Sequence, residues 1–183
     1  AAVGTHVTVG IALTASNRSI VSVTDDGLNS YAVCTQGGVN ATTEIGGSSE
    51  VWLYCGVIAT QASTVTVVIN SALATPGRLW GVNVSGQNAT PIEDVAIATS
   101  SATTSHPVGP VVTAAAGNIL IAIGYGTTGV YTNNSGWTQI DNTTLGVSGY
   151  DDVAAASTSW TPTSSGNESL ALALIAIQPA AAA

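Results

Sequence analysis

The sequence predicts an all-β chain: an antiparallel β-sandwich head, jelly-roll or immunoglobulin-like, preceded by an extended N-terminal arm. Three observations predict it. Odd positions from 3 to 13 are aliphatic or β-branched (Val3, Thr5, Val7, Val9, Ile11, Leu13), and even ones are small or polar (Gly4, His6, Thr8, Gly10, Ala12). Such period-two alternation marks a strand. Helical spacing of apolar residues is almost absent elsewhere. Runs rich in Val, Ile and Thr instead alternate at short intervals with Gly, Pro, Asn and Asp turns, the pattern of sandwiches and barrels.

The arm is residues 1–14 and the head 15–183. At about 3.3 Å per residue the arm would extend ~40 Å, well beyond the usual strand of about 5–6 residues. Gly10 reads as a break. It places Ile11–Thr14 in the chain's own sheet and sends Val3–Val9 beyond the domain. Within the head, Ser19–Thr24 is a strand, Asp25-Asp26-Gly27-Leu28-Asn29 a turn, and Ser30–Thr35 a strand carrying Cys34. Gly37-Gly38 turns, Gly46-Gly47-Ser48-Ser49 closes a loop, and Glu50–Thr60 is a long strand with Trp52, Tyr54 and Cys55. Ser63–Asn70 alternates, Pro76-Gly77 turns, and Arg78–Ser85 sets Trp80, Val82 and Val84 on one face. Gly86–Pro110 reads as a looser segment with one helical turn at Pro91–Val95, because Pro91 suits a first helical position and Glu93-Asp94 a first turn. Val111–Ala114, Gly117–Tyr125, Trp137–Ile140 and Tyr150–Trp160 follow as strands. Ser169–Ile177, apolar on both faces, reads as a central strand.

Composition bounds the function. The 183 residues contain no Phe, Met or Lys, and two Arg, Arg18 and Arg78. Charged residues are 7%, against about 25% in average proteins. Ser, Thr and Asn supply the polarity. A net charge of −8 argues against nucleic acid, since phosphates would go unneutralised. No run of about 20 apolar residues exists, so no membrane-spanning helix is expected. The start at Ala1-Ala2 suits a small-residue cleavage site, and the expectation is an extracellular, cell-surface protein whose signal peptide has been removed. In such a chain Cys34 and Cys55, on neighbouring strands, are expected to pair. Seven N-x-S/T sequons, at Asn17, Asn40, Asn83, Asn88, Asn133, Asn142 and Asn167, predict covalent N-glycans and a eukaryotic or archaeal source.

Chemistry is scarce. His6 and His106 lack metal spacing and read as packing or solvent histidines, and no catalytic arrangement stands out. The expectation is no enzyme, no resident metal and no cofactor. Absence of Lys excludes a Schiff base, a P-loop and a Lys–Asn crosslink. Carboxylates occur as doublets at Asp25-Asp26, Glu93-Asp94 and Asp151-Asp152. The first, with Gly27 and Asn29, is loop-like enough to consider Ca²⁺ beside a plain Asp-Gly turn. Trp52 and Trp80 read as core, while Trp137, after a Ser-Gly turn, is the better candidate for an exposed ring.

From Ser19 to Ile177 the element order resembles the jelly-roll-like β-sandwich of secreted microbial surface proteins. The resemblance rests on Ser22-Val-Thr-Asp-Asp-Gly with Asn29 and Tyr31, Val51-Trp-Leu-Tyr, Thr64-Val-Thr-Val, Gly117-Asn-Ile-Leu-Ile-Ala-Ile-Gly and Gly136-Trp137. It implies a fold and no activity. In organisation the whole chain resembles subunits of archaeal surface filaments, the threads and bundling pili. The shared features are an alternating N-terminal arm, an all-β head, low charge, dense sequons and a cysteine pair. That resemblance implies donor-strand complementation: Val3, Thr5, Val7 and Val9 of one subunit fill a groove in the next. The partners are then identical subunits in a head-to-tail homopolymer, together with surface glycans or other filaments, and the role is adhesion or biofilm formation. The alternatives are a carbohydrate-binding or adhesin module and a viral jelly-roll coat protein.

Overall fold

The computed structural model describes residues 1–14, 18–45, 48–70, 77–114, 117–126, 128–142, 145–153 and 157–179. Asn17, Gly46, Gly47 and Pro76 lie outside them. The described residues are all-β and contain no helix. In chain order the strands are β1 (His6–Thr14), β2 (Ile20–Asp25), β3 (Ala32–Val33), β4 (Thr35–Gln36), β5 (Val39–Asn40), β6 (Thr42–Ile45) and β7 (Ser49–Val57). There follow β8 (Val65–Ile69), β9 (Arg78–Val84), β10 (Gln87–Ser105), β11 (Val108–Val112) and β12 (Asn118–Gly126). The last are β13 (Tyr131–Thr132), β14 (Thr138–Asn142), β15 (Gly146–Val153), β16 (Ser157–Trp160) and β17 (Thr163–Pro179).

All pairings are antiparallel. One larger sheet runs β3-β7-β1-β9, with β6 also on β7; the other runs β10-β17-β12-β15-β14, with β13 on β17. Two-stranded sheets are formed by β2-β8, β11-β16 and β4-β5. Three apolar clusters show how they stack. Ala12, Val51, Leu53 and Val84 of the first large sheet meet Ile121, Ile123, Tyr125, Ala173, Ile175 and Ile177 of the second. On the first sheet's other face, Val7, Val9, Ile11 and Leu13 cluster with Val23 of β2, and Val65, Val67 and Ile69 of β8 pack on them. On the second sheet's other face, Leu120, Leu170, Leu172 and Leu174 cluster with Val108, Val111, Tyr131, Trp137 and Trp160.

This layering explains the opening alternation. β1 is covered on both faces, so its apolar odd residues fill one core while Thr8, Gly10 and Ala12 face the other. β17 is the central strand its composition implies, between β10 and β12, with Leu170–Ile177 buried throughout.

Four local expectations are corrected. β1 runs through Gly10 without a break, pairing continuously with β7 and, from His6 to Ala12, with β9. Residues 87–105 form one 19-residue strand, not a loop with a helical turn. It is an edge strand on β17, where proline is tolerated, and Pro91 falls inside the register shift between Gln87 and Ile92. Tyr150–Trp160 divides into β15 and β16, which lie in different sheets. Trp137 is buried, its ring centroid 5.8 Å from that of Trp160.

Candidate assembly site

β1 sits in a slot of its own sheet, between β7 and β9. β7 and β9 form its walls. Val9 lies opposite Tyr54 and Gly81, and Ile11 opposite Trp52 and Leu79. Val7, Val9, Ile11 and Leu13 are each buried. Full burial of such side chains contributes about 1.5–3 kcal/mol apiece, gross of chain entropy. The ladder bonds to both neighbours satisfy the strand's backbone, an obligation wherever water is excluded.

One wall is stapled covalently. Cys34 and Cys55 form a disulfide, with Cα atoms 5.1 Å apart. It ties β7 to the segment joining β3 and β4. Closing this 21-residue separation contributes about 3 kcal/mol in the chain-entropy view. Cys55 also faces the strand directly: the Thr8 hydroxyl lies 3.9 Å from its Sγ.

Of the four residues read as the donor strand, the structure brings Val7 and Val9 into the slot of their own chain, and Thr5 is buried just before β1. Val3 is left outside, 63% exposed in a turn before β1. The N-terminal residues are nonetheless anchored. Gly4 N–H donates to the Ile58 carbonyl at 2.7 Å, Ile58 N–H to the Thr5 carbonyl at 2.9 Å, and the Ala1 ammonium to the Ala62 carbonyl. Five residues, 15–19, join β1 to β2.

His6 opens β1 and is buried; its Nε2 lies 3.2 Å from the Thr8 hydroxyl, and its Nδ1 has no hydrogen-bond partner. Burial pushes its pKa down to about 4. His106 is also buried, between the hydroxyls of Ser100 (2.6 Å) and Ser164 (2.8 Å) and edge-on to Tyr131. Burial lowers its pKa, with Glu168 opposing. Both are packing histidines by geometry.

The Asp25–Asn29 turn is a clamp. Asp25 accepts from the Asn29 N–H (2.9 Å), the Asn29 amide and the Tyr31 hydroxyl (2.8 Å). Burial raises its pKa, but these hydrogen bonds outweigh it and hold the carboxyl below the usual range. Asp26 accepts from the Ser63 hydroxyl and N–H and from Thr64 N–H, and lies at about 2. The carboxylates therefore fix the loop between β7 and β8 onto the β2 turn, and the oxygens a Ca²⁺ ion would need are already engaged. Similarly, Asp94 accepts from Val112 N–H, and Glu93 from Ala114 N–H and the Asn118 amide.

The sequons divide by geometry. Asn40, Asn83 and Asn167 are exposed. Asn88 is half-buried, its amide donating to Gln178 at 3.2 Å. Asn133 is turned inward: its Nδ2 donates to the Ser148 carbonyl at 3.2 Å, and its Oδ1 accepts from Trp160 Nε1 at 2.9 Å. Asn17 and the side chain of Asn142 lie outside the described residues.

One pair escaped the sequence reading. Glu44 and Glu50 stand opposite each other on β6 and β7. The two glutamates flank the Gly46-Gly47-Ser48-Ser49 motif in the sequence, so the signal was there. No described helix is long and apolar enough to cross a membrane. The chain matches no protein-family model, no curated protein and no solved structure.

Proposed function

We propose that the chain is the structural subunit of an extracellular, N-glycosylated filament of the thread or bundling-pilus kind, serving adhesion or biofilm formation. The head is a β-sandwich, and β1 of one subunit occupies the β7–β9 slot of the next. The observation that carries this reading is the position of β1. It is the first strand in sequence, yet it lies between β7 and β9, which come much later. Its removal would open a slot apolar on both faces, with one wall held by a disulfide. The same contacts that seat the strand in its own domain would seat it in a neighbour's, so exchange changes connectivity and few contacts. A head-to-tail exchange does not close on itself and produces open fibres.

Electron microscopy of the purified chain over a range of concentrations should show thin unbranched fibres. Monomers at every concentration would sink the reading. Cysteines at the opposed positions 11 and 79 (I11C/L79C) distinguish the two seatings in fibres. Exchange gives a covalent ladder on a non-reducing gel, whereas crosslinks confined to single chains leave β1 in its own domain.

A further inference from the structure

A hollow of about 260 Å³ opens at the β6–β7 flank of the first large sheet, lined by Thr42, Thr43, Glu44, Glu50 and Trp52. The β6–β7 register sets Glu44 opposite Glu50 and Thr42 opposite Trp52, which puts these four side chains on one face. On the other side of β7, β1 offers Leu13 opposite Glu50 and brings no charge. Glu50 is only 6% exposed, and its Oε2 has no hydrogen-bond partner. A buried carboxylate oxygen with no donor and a second carboxylate across the strand is an unfavourable arrangement by itself. Burial, then the hydrogen bond to Glu44 and its charge, push the Glu50 carboxyl up to about 7. The Asp25 and Asp26 carboxylates differ: each accepts from donors already in place.

We propose that this hollow binds a divalent, oxygen-preferring cation of the calcium type, held by the Glu44 and Glu50 carboxylates with the Thr42 hydroxyl and water completing its shell. The donor set is oxygen throughout, which suits a hard cation and not zinc or copper. An open hollow with two protein carboxylates suits the flexible, many-ligand shell of calcium better than the rigid octahedron of magnesium. With so few charged ligands the affinity falls in the range of about 10⁻⁴–10⁻³ M typical of extracellular modules. The cation supplies the partner that Oε2 lacks and cancels the like-charge repulsion between the two carboxylates. This site stands independently of strand exchange.

The test uses terbium, a hard trivalent stand-in whose luminescence is sensitised by a nearby indole, here Trp52. The purified chain should give a saturable signal on excitation of tryptophan, displaced by millimolar calcium. Glu50→Gln and Glu44→Gln should each weaken binding about tenfold or more, whereas Asp26→Asn should leave it unchanged. Glutamine keeps the size of glutamate and resembles its protonated form, so E50Q should fold; if it does not, E44Q on the exposed partner decides. No saturable, calcium-displaced signal would overturn the proposal. So would binding that survives both glutamine variants or disappears with Asp26→Asn.

Discussion

Trp80 of β9 lies directly over Gly10 of β1: a Cβ on residue 10 would come within 2.3 Å of the indole carbons Cε2 and Cζ2. Glycine is thus required by close approach, not by strand termination. Gly10→Ala should cost about 1–3 kcal/mol, the usual penalty for overpacking. A second change, Trp80→Leu, should recover part of that loss by clearing the space. Urea denaturation of the two variants measures both; a G10A chain as stable as the parent would contradict the packing.

His6 and Glu50 pull stability in opposite directions with pH. The His6 pKa falls to about 4 on folding, so below about pH 6.5 the unfolded chain binds a proton that the folded one refuses. Stability from this group is complete above 6.5 and is lost as pH drops toward 4. The Glu50 pKa rises to about 7, so the folded chain holds a proton that the unfolded one has released above about 4.5. That contribution is complete below 4.5 and is lost as pH rises toward 7. Between about 4.5 and 6.5 the two slopes, each about 1.4 kcal/mol per pH unit at most, cancel. Denaturation midpoints should therefore be nearly flat there. Glu50→Gln should make stability drop on acidification, and His6→Gln should make it drop on alkalinisation; two flat profiles would contradict the burial of both groups.

Asn29 is the hub of the β2 turn. Besides its bonds to Asp25, its amide donates to the Thr60 carbonyl at 2.7 Å and its Oδ1 accepts from Ala59 and Thr60 N–H, each at 2.9 Å. Asn29→Ala strands several buried groups at once and should cost about 3 kcal/mol or more. Because the Asp25 and Asp26 pKa values are depressed, their contribution is present above about pH 4 and is lost as pH falls through the folded values, about 2 for Asp26. Thermal melts from pH 5 to 2 should show that loss, and D26N should flatten part of it.

Glycan occupancy should follow side-chain geometry. In a glycosylating host, mass spectrometry should find modification at Asn40, Asn83 and Asn167. Asn133 should stay bare once folded, since both its amide atoms are engaged and it supplies the acceptor for the Trp160 indole. Asn133→Ala should accordingly destabilise the fold by about 1–3 kcal/mol, whereas Asn83→Ala should fall within about 0.5 kcal/mol. A glycan stoichiometrically present on Asn133 would contradict this arrangement.

Much of the strand plan was legible because period two survives in short segments. Ser19–Thr24, Ser63–Asn70 and Arg78–Ser85 each overlap an observed strand within a residue or two. Gly37-Gly38 turns between β4 and β5, with φ of 58° and 82°. Residues 87–105 depart from their local signals: Pro91, Glu93 and Asp94 favour a helix start, yet the segment is one strand. Pairing with β17 overrode those signals at an edge where a missing N–H and register shifts are tolerated. The Trp137 environment was likewise hidden, because a Ser-Gly turn says nothing of Trp160, 23 positions further on, closing over the ring.

The sequence by itself determined that the chain is built of strands, that Cys34 and Cys55 are near neighbours, and that Val3–Leu13 alternates. Those properties are written in local periodicity and turn chemistry. Only the tertiary structure decided that β1 is central, that its small even residues are as buried as its large odd ones, and that Gly10 makes room for an indole. It also set Glu44 against Glu50 and turned Asn133 inward. The physical reason is common to all of these: a strand's pattern says which residues share a face, but what covers that face is set by strands far away in sequence.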